Sequence, residues 1–237
     1  MRARDGLALA GGLGVAGLLV AAFLRMPAVG GTVHVYRDLV LPAAQHANTP
    51  NLVSSVNFDL RALDTLGEET IVAAAVVGVL TLLPPRRKAL PPERGYVLPT
   101  VRFTGYLLLP VAVVLGLDVV LHGHLTPGGG FQGGVVLATG WHLLYLAGSH
   151  SALQRLRPLT WLEHTEAAAT GLYVVTGLAG LLAAGSFLAN FLPRGSFGSL
   201  VSAGTVPLLS VFVGMEVAAG VVVLLSRFLA HGLGHAR

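Results

Sequence analysis

Five glycines fall within the seven residues 128–134, between two apolar segments that are each long enough to cross a membrane. They belong to the stretch His122-Gly-His-Leu-Thr-Pro-Gly-Gly-Gly-Phe-Gln-Gly-Gly134. Each glycine in a helix interior costs up to about 1 kcal/mol relative to alanine, so this density predicts backbone that is not regular helix. At membrane depth, irregular backbone is tolerated only where it is buried in protein or lines a polar cavity. We therefore expect the loop to pack against a partner or to border a path for water and ions.

The composition is that of an integral membrane protein. Of the 237 residues, 54% are apolar and 11% are charged, and the mean hydropathy is +0.74. These values lie outside the usual range of soluble domains. The net charge of +4 comes mainly from arginines beside apolar segments, which is a topological signal and argues against nucleic-acid binding. The absence of cysteine excludes disulfides, thiolate metal sites and covalent thiol catalysis.

Six apolar runs are long enough to span a hydrocarbon core of about 30 Å, which predicts an all-α, multi-pass protein of the cell membrane. The runs lie at about residues 6–24, 66–83, 103–121, 131–148, 166–191 and 205–229. We expect the first to be a retained helix, since Asp5 precedes it and Arg25-Met-Pro offers no small-residue cleavage site. Eleven of the 15 Lys and Arg residues fall on one side if the N-terminus is inside, which predicts an N-in, C-in topology with the glycine loop outside.

Two composition shifts divide the chain. The proline-rich, charged stretch 84–94 is not helical throughout and predicts a two-helix module at 1–83, a cytoplasmic linker at 84–101 and a four-helix module at 102–237. Within the long outer segment 25–64, apolar side chains recur at helical spacing, which predicts a short amphipathic helix on the outer surface. That stripe consists of Leu52, Val56, Leu60 and Leu63.

Glu216 stands near the middle of the last apolar run, in Val213-Gly-Met-Glu-Val-Ala-Ala-Gly220. An ionised carboxylate at that depth is costly unless it is paired or hydrated, so the side chain should face protein or a wet cavity. It is either part of a proton or cation relay or a structural carboxyl bonded to a neighbouring helix, and the sequence leaves both interpretations open.

Asp118 and His122 lie four residues apart near the outer end of the third run, on one face of a helix, an arrangement that suits proton transfer. With His124 they are candidates for an ion or proton path, although a simple ion pair is the alternative. His122 and His124 could also be two metal ligands. The possible third ligands, His142, Glu163 and His164, lie at other depths, so no metal site and no cofactor are expected.

Thr65-Leu-Gly-Glu68 matches a capping box, with Thr65 as the N-cap of the second apolar run and Glu68 reaching back to its amide. A second carboxylate, Glu69, would also be stabilised by the positive end of the helix dipole. A role at the helix start is therefore the favoured interpretation of both glutamates.

These motifs resemble a known family. Residues 103–229, above all the glycine stretch with Gly204-Thr-Val-Pro-Leu-Leu209 and Val213-Gly-Met-Glu-Val217, look like the MnhB/MrpB subunit of multisubunit cation/proton antiporters. Asn57-Phe-Asp-Leu-Arg-Ala-Leu-Asp-Thr-Leu-Gly-Glu68 resembles the C-terminal extension of the MrpA subunit, which also occurs as the separate MbhE-type subunit of membrane-bound hydrogenases. This chain departs from the family pattern at Ser210, where the family tends to have Asn, and at Glu69, where it tends to have an apolar residue.

The resemblance implies a non-catalytic membrane subunit of a Na+/H+ antiporter that helps to form the ion or proton path and docks neighbouring Mrp-type or hydrogenase-type subunits. The equivalent subunit of a membrane-bound hydrogenase or related ion-pumping redox complex is the alternative, and an intramembrane enzyme or a structural spacer is less favoured. Na+ and H+ would be the transported ions. The candidate subunit contacts are Pro127, Gly128, Gly129, Gly130, Phe131, Gln132, Gly133, Gly134, Asp64 and Glu68.

Overall fold

The computed structural model describes residues 3–26, 34–83, 97–147 and 159–232, and all regular structure within them is helical. The chain divides into two compact units, Met1–Asp38 and Leu39–Arg237. The helices are α1 (Ala3–Leu24), α2 (Val35–His46), α3 (Leu52–Ser55) with a π-helical turn (Val56–Leu60), α4 (Ala62–Leu82), α5 (Pro99–Leu121), α6 (Gly130–Leu146), α7 (Leu159–Ala184) and α8 (Val206–Gly232).

Each of the six predicted apolar runs contains a helix, which confirms the all-α class. Four helices of the described residues are long and apolar enough to cross a membrane, namely Ala62–Leu82, Pro99–Leu121, Trp161–Ala184 and Val206–Phe228. The apolar part of α1, Leu9–Leu24, is shorter, and α6 has 17 residues. A count of six spans and the N-in, C-in topology therefore remain predictions.

The fifth predicted run extends past the end of its helix, which also begins before the run, at Leu159. Helix α7 ends at Ala184, and Gly185 follows with φ +78°, a left-handed conformation that commonly ends helices at glycine. The chain then folds back, and the Leu188 amide donates to the Gly177 carbonyl at 3.1 Å. The residues up to 191 are apolar enough to suggest a membrane helix, but they form a segment that folds back and packs against α7.

The segment that carries the predicted amphipathic stripe is helical, and its position on a membrane surface remains a prediction. Leu60 and Leu63 are exposed, whereas Ser54, Ser55 and Phe58 are the buried side chains. The π-helical turn between α3 and α4 inserts extra residues per turn, so the buried face does not follow the ordinary helical spacing. Helix α2 lies within the same segment, 25–64, and the apolar pattern does not predict it.

The prediction that residues 128–134 cannot be regular helix is also wrong in part, because α6 begins at Gly130 and includes Gly133 and Gly134. A Cβ at Gly134 would lie 2.9 Å from the Gly214 carbonyl oxygen of α8, and one at Gly133 would lie 2.8 Å from the Gly116 carbonyl oxygen of α5. These glycines therefore serve close approach of helix backbones. We call this contact among α5, α6 and α8 the glycine seam.

Only Gly128 and Gly129 of this motif have the left-handed φ that favours glycine, at +143° and +139°. We call the loop at 122–129, which ends in these two glycines, the glycine turn, and Asn51 holds the part of it before the glycines. Its amide nitrogen donates to the carbonyls of Gly123 and Thr126 at 2.7 and 2.8 Å, while its side-chain oxygen caps α3. The glycine turn is therefore fixed within the chain itself.

Residues 84–96 of the predicted linker lie outside the described residues, and α5 begins at Pro99, inside its predicted bounds. Helix α4 packs against α7 and α8, so the part assigned to the first module contacts the second. The buried core of this contact includes Ala62, Tyr173 and Val213. The division at 83 and 102 remains a prediction.

Candidate functional site

Three glutamates lie buried where α4, α7 and α8 meet. Glu69 of α4 and Glu216 of α8 have no exposed surface, and Glu166 of α7 is 5% exposed. We call these three residues the carboxyl cluster. Carboxylates are almost never fully buried unless they are paired, so three in one place require an explanation.

The helices bring these side chains together through ordinary helical spacing. On α7, Glu163, Glu166, Thr170 and Tyr173 follow at intervals of three or four residues and so share one face. On α8, Gly220 lies one turn beyond Glu216. A Cβ there would lie 3.3 Å from side-chain carbons of Val72 and Val76, so this glycine allows α8 to pack closely against α4.

Within the cluster, Glu69 and Glu216 interact most closely. Their carboxyl groups lie close enough for a hydrogen bond between them when one of the two is protonated. If both are ionised, none of their four oxygens has a partner among the described residues, because a carboxylate only accepts hydrogen bonds. A proton on one of the two resolves this conflict, since a carboxylic acid donates to the carboxylate opposite. Oε1 of Glu166 also has no partner within the described part of the chain.

One end of the cluster is closed by a buried tyrosine. The Tyr173 hydroxyl donates to the Ala62 carbonyl at 2.9 Å, and the Thr65 hydroxyl donates to the Asn57 carbonyl at 2.7 Å. Thr65 is therefore inside α4 and does not cap it, so the predicted capping box is wrong. Helix α4 begins earlier than the box required, at Ala62, and this places Glu69 in the helix interior on the same face as Thr65.

The other end of the cluster leads to an ion pair. Arg227 of α8 donates to Glu163 of α7 at 2.9 Å, and their side chains are 13% and 27% exposed. Glu163 lies one turn before Glu166 on the same face of α7. Acidic and hydroxyl side chains thus follow α7 from Glu163 to Tyr173, over about 15 Å at 1.5 Å per residue.

The structure keeps Asp118 and His122 apart from this cluster. They form the predicted pair, with Nδ1 of His122 2.8 Å from a carboxylate oxygen of Asp118, at the end of α5. The Asp118 side chain is 60% exposed, so the pair is at the surface of the chain.

His124 is fully buried, and neither ring nitrogen has a hydrogen-bond partner among the described residues. Burial lowers the pKa of His124 from its ordinary value of 6.5. Backbone groups of Ser199 and Leu200 partly oppose this shift, and the charge of His122 adds to it. The buried ring is therefore held in its neutral form.

Some of the predicted contact residues are buried and others are exposed. Gly129, Gly130, Gly133 and Gly134 are buried, Phe131 packs on the hydrophobic core, Gly128 is half-buried, and Pro127 and Gln132 are exposed. Asp64 pairs with Arg61 and is exposed, as is Glu68. Whether these residues contact other subunits remains a prediction.

Sequence reasoning identifies Glu216 but misses the two glutamates beside it. It assigns Glu69 to the helix start and does not single out Glu166. The available signals are the departure of Glu69 from the family pattern and the spacing of Glu166, Thr170 and Tyr173 on one helical face. Among the described residues, no three His, Asp or Glu side chains are arranged to hold a metal ion.

The fold and this site define a multi-pass helical membrane protein with carboxyl groups buried between its helices. Residues 100–223 match the family described as a domain related to the MnhB subunit of Na+/H+ antiporter, and the chain belongs to this family.

Two curated relatives share much of the sequence. An uncharacterized protein of Methanocaldococcus jannaschii is 33% identical over 204 residues, covering 74% of this chain and 75% of that protein. A probable K(+)/H(+) antiporter A/B subunit of Rhizobium meliloti is 29% identical over 189 residues, covering 68% of this chain but 19% of that protein. The whole of the second relative is thus much longer than the matched part.

Two solved structures share the fold. A chain of the membrane-bound sulfane sulfur reductase, an archaeal respiratory membrane complex, matches with TM-score 0.77 and 29% identity, covering 95% of this chain and 98% of that one. A chain of the Mrp complex from Dietzia sp. DQ12-45-1b matches with TM-score 0.74 and 28% identity, covering 96% of this chain and 26% of that one. The fold thus occurs both in an Mrp complex and in a respiratory complex.

Proposed function

We propose that this chain is a non-catalytic membrane subunit of a cation/proton antiporter and that its carboxyl cluster is part of the ion or proton path. The observation that carries the proposal is the burial of Glu69, Glu166 and Glu216 between three helices. Among the described residues, the basic side chain at this end of the helices, Arg227, pairs with Glu163 and not with these three. Buried carboxyl groups destabilise a membrane protein, so they are rare within its helices. Where they do occur, they commonly belong to proton relays or ion paths.

The cluster also supports a joint role for the two predicted modules. Glu69 belongs to the MrpA-like part, whereas Glu166 and Glu216 belong to the MnhB-like part. The family resemblance and the fold matches support Mrp-type subunits as neighbours, with Na+ and H+ as the transported ions. The predicted N-in topology, tested by reporter fusions at the two termini, would place the Arg227 end of the cluster on the cytoplasmic side.

The test is Glu216→Gln in the assembled complex reconstituted in liposomes. The amide preserves shape and most hydrogen bonding but does not titrate, so assembly should persist while ion-coupled proton flux falls. Asp38→Asn, in the exposed ion pair with Arg37, is the control. Wild-type flux and pH dependence in Glu216→Gln would leave this residue structural and make the Asp118–His122 pair the next candidate.

The second candidate function is a role as one subunit of a respiratory ion-pumping complex. It is favoured by the match to the sulfane sulfur reductase chain, which this chain covers almost completely, at 98%. Affinity purification of the chain from its native membrane distinguishes the two. Copurification of redox subunits would assign it to the respiratory complex, and a set of antiporter subunits alone would assign it to the antiporter.

A further inference from the structure

We infer that Glu69 and Glu216 share a single proton and exchange it with solvent only from the Arg227 end of the cluster, through Glu166. This inference rests on the proposed function, because it names the ligand and the access side of that same path. One member of the pair, Glu69, stands where the family tends to have an apolar residue.

The first step is the geometry of the pair. Two carboxyl groups within hydrogen-bonding range need a proton between them, since ionised carboxylates offer only acceptors. Like charges so close together cannot both ionise without a large cost, and one shared proton removes that cost. Both residues are fully buried, so water does not relieve the repulsion.

The second step is the choice of a proton over a metal cation. A bound cation needs several oxygens spread around it, and the described residues contain no group of three acidic or histidine side chains with that arrangement. The Thr170 hydroxyl donates to the Glu166 carbonyl at 3.2 Å, so its proton does not serve either carboxylate of the pair. The pair therefore fits a proton and not a coordinated sodium ion.

The third step is access. Toward Tyr173 the pair meets a packed core in which Tyr173 and Val213 have no exposed surface and Leu209 is 1% exposed. In the other direction Oε1 of Glu166 is buried without a partner among the described residues, and one turn beyond it Glu163 is 27% exposed beside Arg227. Polar groups thus lead from the pair to solvent in one direction only.

Other ionisable groups near the pair fit this scheme. On α4 the neighbour is Glu68, which is exposed; on α7 they are Glu163, Glu166 and Tyr173; on α8 the charged group is Arg227, which is occupied by Glu163. Within the described residues, none of these supplies a positive charge to the pair itself.

Infrared spectroscopy of the assembled complex tests the inference through the carbonyl-stretching band of a protonated carboxylic acid. Glu69→Gln and Glu216→Gln should each abolish the same band, and the double variant should lose no more than either single one. In Glu166→Gln the band should persist, but its shift on transfer to D2O should slow. Asp38→Asn, in the exposed ion pair with Arg37, is the control and should change neither the band nor its exchange.

Several results would overturn the inference. Retention of the band in either pair variant, or loss of two separate bands, would exclude a shared proton. Loss of the wild-type band on adding Na+ in place of choline would identify a cation site, and unchanged exchange in Glu166→Gln would refute the access route. If Glu69→Gln fails to assemble, Glu69→Leu supplies the apolar residue that the family tends to have and should also lose the band.

The infrared and flux measurements separate the two proposals. A lost band with wild-type flux in Glu216→Gln would leave the shared proton in place and refute the proposed ion path. Reduced flux in Glu216→Gln, without any carboxylic acid band in the wild-type complex, would support the proposed ion path and refute the shared proton.

Discussion

Gly133→Ala tests whether the glycine seam fixes the distance between helices α5 and α6. The added Cβ would lie 2.8 Å from both the Gly116 carbonyl oxygen and the Val120 amide nitrogen, and closer still to the Val120 side chain. Ordinary van der Waals contact begins at 3.4 Å, so the helices would have to separate by roughly 0.6 Å. Backbone atoms cannot rotate away as a side chain does, which makes this clash difficult to relieve.

The expected cost follows from two opposing effects. Overpacking of this kind destabilises a protein by about 1–3 kcal/mol, while alanine in a helix gains up to about 1 kcal/mol over glycine. We expect Gly133→Ala to lower the free energy of unfolding by about 1–2 kcal/mol. Gly171→Ala in α7 is the matched control, because nothing lies within 4 Å of its added Cβ, and it should be neutral or stabilising.

The assay is reversible unfolding of the full chain in detergent, compared among wild type and the two variants under identical conditions. The difference between the variants should be larger than either difference from wild type. Equal stability of Gly133→Ala and Gly171→Ala would refute the conclusion that the glycines serve close backbone approach.

Three further predictions concern the glycine turn and its surroundings. Asn51→Ala removes two hydrogen bonds to the turn and the cap of α3, so it should destabilise the chain by about 1–3 kcal/mol in the same unfolding assay; a loss below a few tenths would contradict the anchoring role. Because the pKa of His124 is lowered in the folded chain, the unfolded chain binds a proton first and stability should fall as pH drops below about 6.5; His124→Gln should flatten this slope, and an unchanged slope would contradict it. Gln132→Cys, exposed in the chain, should react quickly with a membrane-impermeant thiol reagent when the chain is isolated and slowly in the assembled complex; equally fast labelling would exclude a contact with neighbouring subunits there.

Hydrophobicity is sufficient to locate the helices, because the length and apolar character of a membrane segment are local properties. It is not sufficient to locate their ends. The return after Ala184 and the π-helical turn before α4 depend on packing against other helices, which apolar content does not encode. The glycine density marks the right place but predicts irregular backbone there, because propensity omits the gain from close helix packing.

The candidate site is only partly predictable. A glutamate in the middle of an apolar run stands out, so the sequence alone identifies Glu216. Glu69 and Glu166 lie nearer the ends of their apolar runs, where carboxylates are common and a cap or an interfacial position is the ordinary explanation. Only the packing of α4 and α7 against α8 reveals that all three point toward one place.

The glycine seam also limits which parts of the molecule can move during the ion transfer proposed above. Contacts made by backbone against backbone have no side chains that could change rotamer, so α5, α6 and the first half of α8 should move as a single rigid block. Around the carboxyl cluster, by contrast, the helices also meet through long side chains that have alternative rotamers, such as those of Glu69, Glu166 and Glu216. We expect any gating motion to be a displacement of α4 and α7 against this block, which a cysteine cross-link between α5 and α6 would leave unaffected and one between α4 and α8 would arrest.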